Sequence, residues 1–164
     1  MDTDSQDFEV TNFWERLEKQ PIVMLTDTFS GGLRSRPMAA RIRATENAIW
    51  FLTDSGSAKV DEVAARPDVC VTIADTSANL YISVTGTCEL VIDPNKISEL
   101  WRVADKIFFD GPEDERIILI RMDPSEGQTW SGPSGPVAAV KMVLSLITGT
   151  KLDLGEAHKV QLQG

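Results

Sequence analysis

The sequence has few of the side chains that build most catalytic and metal centres. Among its 164 residues there are one histidine, His158, and two cysteines, Cys70 and Cys88. His158 lies in a polar segment near the C-terminus, which argues against a Ser-His-Asp or Cys-His relay and against a histidine metal cluster. Both cysteines lie in apolar segments typical of strands, where an inert buried thiol is the expected state. The sequence therefore predicts no metal site and assigns the cysteines no chemistry.

Long hydrophobic runs and positive charge are also scarce. No apolar run reaches the roughly 18 to 20 residues that span a bilayer, and the start, Met1 to Asp7, is acidic rather than signal-like. We therefore expect no membrane segment and a cytoplasmic location. Sixteen basic residues against 25 acidic ones give a net charge of −9. Such an excess repels polyanions, so nucleic acid is not an expected partner.

The composition that remains is that of one soluble domain, with 42% hydrophobic and 25% charged residues in 164. Runs of β-branched and aromatic residues, separated by turn-forming residues, predict strands that are joined mostly by hairpins. The predicted strands are 22–26, 33–44, 48–53, 69–74, 80–92, 116–122 and 128–131. The predicted fold class is β-dominated α+β, with an antiparallel sheet curled into a barrel and flanked by helices.

Capping residues and apolar periodicity predict four helices around this sheet. They begin near Asn12, Ser57, Asp93-Pro94 and Pro136, and the last two extend through Phe108 and Ile147. Residues 11–150 form the predicted domain, preceded by a polar N-terminal segment, 1–10, and followed by a polar C-terminal tail, 151–164. Gly86 inside a predicted strand indicates a bend or bulge.

One cluster of positive charge stands out against the acidic background. It consists of Arg34, Arg36, Arg41 and Arg43. If the segment from Arg34 to Lys59 forms a hairpin, some of these arginines converge with Thr53, Ser57 and Lys59. Two hydroxyls, a helix N-terminus, an ammonium and a planar guanidinium suit a phosphate monoester. The alternative is a solvated strand face that pairs with nearby acids, and spacing alone does not identify a ligand.

Three longer tracts support a more specific interpretation. They are Arg34-Ser35-Arg36-Pro37-Met38, the tract from Trp50 to Lys59, and Tyr81-Ile82-Ser83-Val84-Thr85-Gly86-Thr87. In order and spacing they resemble the pyridoxamine 5′-phosphate oxidase-like, FMN-binding split barrels, and within these the general stress protein 26 subgroup. The similarity extends from about Phe13 to the C-terminus and includes the tract from Trp130 to Gly135.

The resemblance implies a six-stranded split barrel that forms a homodimer, with FMN, or FAD as the alternative, in two equivalent clefts at the subunit interface. Each cofactor-binding position follows from a matching position in the family. The implied cofactor-binding residues are Arg36, Pro37, Met38 and Arg41 along the flavin, Leu52 at the adjacent strand end, Thr53, Ser57 and Lys59 at the phosphate, Tyr81 at the ring, and Trp130 from the partner subunit.

Two departures from the family pattern bear on the reaction. Ala58 stands where the true oxidases have an arginine, for which Arg41 is the expected substitute, and Gly132 to Gly135 stand where they carry an arginine and a histidine. The resemblance therefore does not predict pyridoxamine phosphate oxidation. It predicts an FMN-dependent oxidoreductase that acts on an unidentified small molecule. The alternatives are a noncatalytic protein that binds or senses a flavin or another phosphorylated cofactor, and a dimeric interaction module with an empty cleft.

Overall fold

The computed structural model describes residues 3–132, 144–145, 147 and 156–162. These residues form eight strands, three complete α-helices and two short 3₁₀ segments, and residues 144–145 and 147 are helical as well. The strands are β1 (Ile22–Phe29), β2 (Gly32–Ala39), β3 (Arg41–Arg43), β4 (Ala48–Asp54), β5 (Asp68–Asp75), β6 (Leu80–Val91), β7 (Ile117–Ser131) and β8 (Glu156–Gln161). The helices are α1 (Thr3–Glu18), α2 (Ala58–Ala65) and α3 (Pro94–Leu100), and the 3₁₀ segments are Ala44–Glu46 and Val103–Ile107.

All strands belong to one antiparallel sheet with the order β2-β1-β5-β6-β7-β4-β3, and β8 pairs with β7. The two end strands of this path, β2 and β3, are consecutive in the chain and are separated by Ala40 alone. The sheet therefore curls until its ends approach each other, with a split between β2 and β3. This confirms the predicted antiparallel split barrel and the β-dominated α+β class, although with eight strands where six were expected.

The predicted strand 33–44 is divided in two, which corrects the idea of one hairpin from Arg34 to Lys59. The first part, β2, pairs with β1, where Leu25 lies opposite Arg36. The second part, β3, pairs with β4, where Arg41 lies opposite Trp50. At the junction the amide of Ala40 donates a hydrogen bond to the carbonyl oxygen of Pro21. This bond continues the pairing of β1 with β2 by one residue, after which β3 begins.

The strand β4 is buried on both faces because it separates two apolar clusters. Ile49 and Phe51 point into the barrel core, which α1 covers at one end with Phe13 and other apolar residues. Ala48 and Trp50 point outward into a second cluster, which includes Ile97 and Leu100 of α3 together with Phe109. Helix α3 and the segment that follows it are thereby held against the outside of β4.

Several predicted boundaries differ from the structure. Helix α1 begins at Thr3, before the predicted cap Asn12 and inside the predicted polar segment 1–10, where acidic residues favour a helix N-terminus. The predicted strands 116–122 and 128–131 are parts of one continuous strand, β7. The predicted polar tail contains β8, which pairs with the second half of β7 and buries Val160. The predicted helix through Phe108 ends at Leu100, because Trp101 adopts an extended conformation. Most of the predicted last helix, 136–147, lies outside the described residues.

The predicted bulge at Gly86 is confirmed by a shift of register between Thr85 and Gly86 in the pairing of β6 with β7. A methyl group at Gly86 would overlap the carbonyl oxygen of Asp123 and the backbone of Pro124. Glycine is therefore required by the close approach of two backbones at this point.

Candidate ligand-binding cleft

A cleft of about 310 Å³ opens between the β2–β3 junction, the end of β4, the start of α2 and the second 3₁₀ segment. Its volume is at the lower end of the range of about 300 to 1,000 Å³ that is usual for small-molecule sites. Six of the residues predicted from the sequence line it. They are Pro37, Met38, Arg41, Leu52, Thr53 and Lys59.

Two hydroxyl groups lie together where β4 leads into α2. The Thr53 side chain is buried, and its Oγ1 is 3.4 Å from Oγ of Ser57. The turn between them is closed at Asp54, whose carbonyl oxygen accepts from the Ser57 amide and whose carboxylate accepts from the Gly56 amide. Ser57 precedes α2, and no helix amide donates a hydrogen bond to its side chain. Ser57 is not among the residues that line the cleft, but its hydroxyl contacts that of Thr53, which lines it. The Ser57 hydroxyl and the first amides of α2 can therefore serve a ligand.

Lys59 supplies a cation to the same cleft, which Thr53 also lines. Burial lowers the pKa of its ammonium, and the nearby charge of Arg36 lowers it further, while Asp54 and Asp27 act in the opposite direction. Within the described ranges no carboxylate oxygen lies within 4.0 Å of its Nζ. A partly desolvated ammonium without a carboxylate partner favours an anionic ligand. The inventory of hydroxyls, amides and ammonium at this corner thus fits a phosphate group.

Arg36 does not line the cleft, because acidic side chains bind its guanidinium. Its Nη2 donates to Asp27 Oδ1 at 2.8 Å and to Glu62 Oε2 at 2.7 Å, and Arg34 Nη1 donates to Glu62 Oε1 at 3.1 Å. Asp27 is buried, and desolvation raises the pKa of its carboxyl group against the opposing charge of Arg36. These contacts connect the β1–β2 hairpin to α2. Arg36 therefore acts on the cleft through its charge, which lowers the pKa of Lys59.

Arg41 lies in the cleft wall, but its guanidinium is occupied. Its Nη2 is 2.6 Å and 2.7 Å from the two carboxylate oxygens of Asp105, and Nε donates to the carbonyl oxygen of Leu100 at 3.0 Å. Nη1 donates to the carbonyl oxygen of Ala39. Asp105 also accepts a hydrogen bond from the amide of Arg102. In this structure Arg41 therefore anchors the second 3₁₀ segment, and its charge is not free to substitute for the arginine replaced by Ala58.

Tyr81 and Trp130 lie elsewhere in the chain. They face each other across β6 and β7, and each is 39% exposed. Thr53 pairs with Ile118 near the beginning of β7, whereas Trp130 is next to its last residue. The structure therefore does not place these two aromatic residues in the same cleft as Lys59 within one chain.

The predicted site lacks five residues of the cleft wall, which are Ala39, Asp54, Asp105, Phe108 and Phe109. Ala39 and Asp54 are next to predicted residues in the sequence. Phe108 fits the apolar face of the predicted helix, which favours burial over contact with a ligand, but this helix ends earlier than predicted. Asp105 has no signal because its partner Arg41 is distant in sequence. In the described part of the chain no group of three His, Cys, Asp or Glu side chains could hold a metal ion. None of the described helices has both the length and the apolarity needed to cross a bilayer.

Comparison with known proteins gives a family model and several solved structures. The family model described as pyridoxamine 5′-phosphate oxidase like matches residues 9–153. A candidate general stress protein 26 from Jannaschia sp. CCS1 is 28% identical, with a TM-score of 0.75 and coverage of 94% of this chain and 98% of the other. A general stress FMN/FAD binding protein from Xanthomonas citri is 26% identical, with a TM-score of 0.65 and coverage of 76% and 89%. No curated protein matches the sequence.

Proposed function

Because the chain belongs to the pyridoxamine 5′-phosphate oxidase-like family, we propose that the cleft binds a flavin nucleotide, FMN or alternatively FAD, by its phosphate group. The observation that carries this proposal is Lys59, a partly buried cation without a carboxylate partner in the described structure, which lines the same cleft as Thr53. The hydroxyl of Thr53 lies 3.4 Å from that of Ser57. The similarity to a general stress FMN/FAD binding protein supports the same ligand.

The residues around this corner have separate tasks in binding. Thr53 and Ser57 offer hydroxyl donors, the first amides of α2 offer oriented N–H groups, and Lys59 offers charge. Pro37, Met38 and Leu52 provide an apolar wall for a flat ring. Glu62 and Asp27 hold Arg36 close enough for its charge to act on Lys59.

We further propose an oxidoreductase that acts on a small molecule. A bound flavin supplies the redox chemistry, and the protein supplies binding, orientation and exclusion of water. The second candidate is a flavin-binding or flavin-sensing protein without catalysis, which the designation of the Xanthomonas citri protein as an FMN/FAD binding protein favours.

A homodimer is the proposed assembly, with each cleft completed by the partner subunit. Two observations support it. The cleft of one chain, about 310 Å³, is small for a flavin nucleotide, and the exposed pair Tyr81 and Trp130 lies away from it. In a symmetric dimer each contact occurs twice, so a contact of Trp130 of one copy with the cleft of the other would complete both clefts.

The first experiment identifies the small molecule that is released when the purified protein is denatured. The expected result is FMN or FAD, with a flavin absorption spectrum in the native protein. A colourless protein that does not take up added flavin would refute flavin binding. Steady oxidation of NAD(P)H in the presence of an electron acceptor would favour the oxidoreductase over the binding protein, and its absence with a range of acceptors would favour the latter.

The dimer is tested by mixing two variants that each lose flavin affinity, Lys59→Met and Trp130→Ala. If each cleft takes Lys59 from one subunit and Trp130 from the other, a mixed dimer contains one intact cleft. Random mixing then restores tight binding in roughly a quarter of all clefts. If no cleft regains tight flavin binding and the protein sediments with the mass of a monomer, the shared site is contradicted.

A further inference from the structure

The second 3₁₀ segment brings an exposed aromatic ring to the cleft. Phe108 lines the cleft and is 70% exposed, whereas the adjacent Phe109 is 7% exposed and belongs to the apolar cluster under α3. The amides of both phenylalanines donate to the carbonyl oxygen of Asp105, at 2.9 and 3.0 Å. Because Arg41 fixes the side chain of Asp105, the backbone of Phe108 is held in place while its ring is open to solvent.

The charges of the cleft wall are mostly neutralised before any ligand binds. Arg41 and Asp105 form a buried pair with each other. Asp54 lies 3.6 Å from Nη1 of Arg116 and also accepts a hydrogen bond from the Gly56 amide. Of the charged groups that line the described part of the cleft, only Lys59 lacks an opposite charge within 4.0 Å.

This distribution of charge limits what can bind beside a flavin nucleotide. If the flavin phosphate occupies Lys59, no unpaired cation of the described wall remains for a second anionic group. A carboxylate or phosphate on the second ligand would then lose its hydration without gaining an ionic partner. An uncharged ligand avoids this cost.

We propose that the small-molecule substrate is an uncharged, flat aromatic compound that packs against Phe108. This inference rests on the proposed flavin binding and on the proposed dimer, in which the partner subunit extends the cleft beyond the volume that one chain encloses, and it adds the substrate class. Aromatic rings prefer offset or edge-to-face packing, and the exposed Phe108 ring offers one partner for it at a fixed position. The substrate therefore differs in charge from the phosphorylated pyridine after which the family is named.

The test compares 2-naphthamide with 2-naphthoate, two ligands of similar shape that differ in charge, by calorimetric titration of the FMN-loaded protein. We expect 2-naphthamide to bind at least about tenfold more tightly than 2-naphthoate. Phe108→Ala should weaken 2-naphthamide about 3- to 10-fold. The matched control is Val103→Ala in the same 3₁₀ segment, at a residue that is 80% exposed and does not line the cleft, and it should leave binding unchanged.

Several results would overturn the proposal. The first is equal or tighter binding of 2-naphthoate, and the second is no binding of 2-naphthamide. The third is an unchanged affinity of Phe108→Ala for 2-naphthamide. The fourth is loss of the dimer in Phe108→Ala, which would show that a second copy covers the ring. If the protein takes up no flavin, the proposed function fails separately. The flavin-free protein is then saturated with inorganic phosphate, which binds Lys59, and titrated with the same two ligands. These titrations show whether 2-naphthamide binds more tightly than 2-naphthoate.

Discussion

Replacement of Lys59 by methionine removes the cation of the cleft and keeps most of the apolar stem of the side chain. A hydrogen bond to a charged group contributes about 1.5 to 3 kcal/mol, and about 1.4 kcal/mol corresponds to a tenfold change in affinity. The dissociation constant for FMN should therefore rise about 10- to 150-fold. Burial already lowers the pKa of Lys59 in the free protein. Part of the cost of removing water from the ammonium is thus met on folding. We therefore expect the rise in the dissociation constant to lie near the upper end of this range.

The pKa shift gives the expected pH dependence of the same interaction. FMN binding requires the charged ammonium, and the pKa of Lys59 in the free protein lies below its usual value of about 10.4. As the pH rises through this lowered pKa, the free protein loses the proton, so binding must take one up and the affinity falls. The Lys59→Met protein should lack this fall. Bound phosphate should raise the pKa of Lys59 back toward the usual value.

Fluorescence titration of flavin-free protein with FMN measures both effects. Lys159→Met is the control, because Lys159 lies on β8 with a side chain that is 66% exposed and 3.3 Å from Glu126. It should bind FMN as the wild type does. A dissociation constant for Lys59→Met within threefold of the wild-type value, or an unchanged decline of affinity at alkaline pH, would refute the assignment of Lys59 to the phosphate.

Three further predictions concern stability and reactivity. Asp105→Asn leaves Arg41 buried without its counter-charge, so we expect a loss of about 3 to 5 kcal/mol and a fall of the thermal midpoint by roughly 6 to 20 °C. Gly86→Ala drives a methyl group into the backbone at Asp123, so chemical denaturation should show a loss of about 1 to 3 kcal/mol. Burial raises the pKa of the Cys88 thiol to about 12, so a thiol reagent at pH 8 should label Cys88 only after unfolding.

Matched variants separate these causes from general damage. The double variant Arg41→Met/Asp105→Leu should be more stable than Asp105→Asn, since it leaves no unpaired buried charge. A methyl group at Gly111 would meet only the end of the exposed side chain of Glu113, so Gly111→Ala should unfold much as the wild type does. The argument for Asp105 is contradicted if the double variant is less stable than Asp105→Asn. The argument for Gly86 fails if Gly86→Ala has the stability of the wild type, and that for Cys88 fails if the thiol is labelled quickly in the native protein.

Local interactions explain why much of the fold could be predicted from the sequence. The hairpin β5–β6, the helix that begins at Asp93-Pro94 and the bulge at Gly86 depend on neighbours in the chain or on backbone preferences of single residues. The side chain of Asp93 caps α3 by accepting from the amides of Asn95 and Lys96, as the sequence predicts. The hydroxyls of Thr53 and Ser57 also meet because they are close in sequence.

The tertiary structure decided which of the clustered arginines are free to bind a ligand. The sequence showed four cations but not their counter-ions, because Asp105 is 64 residues from Arg41 and Glu62 is 26 residues from Arg36. Formation of the Arg41–Asp105 pair also fixes the 3₁₀ segment where a continuous helix was predicted. The strand β8 likewise forms by pairing with β7, which is distant in sequence. Charge and periodicity are properties of the chain, whereas the partner of each charge and the neighbour of each strand exist only after folding.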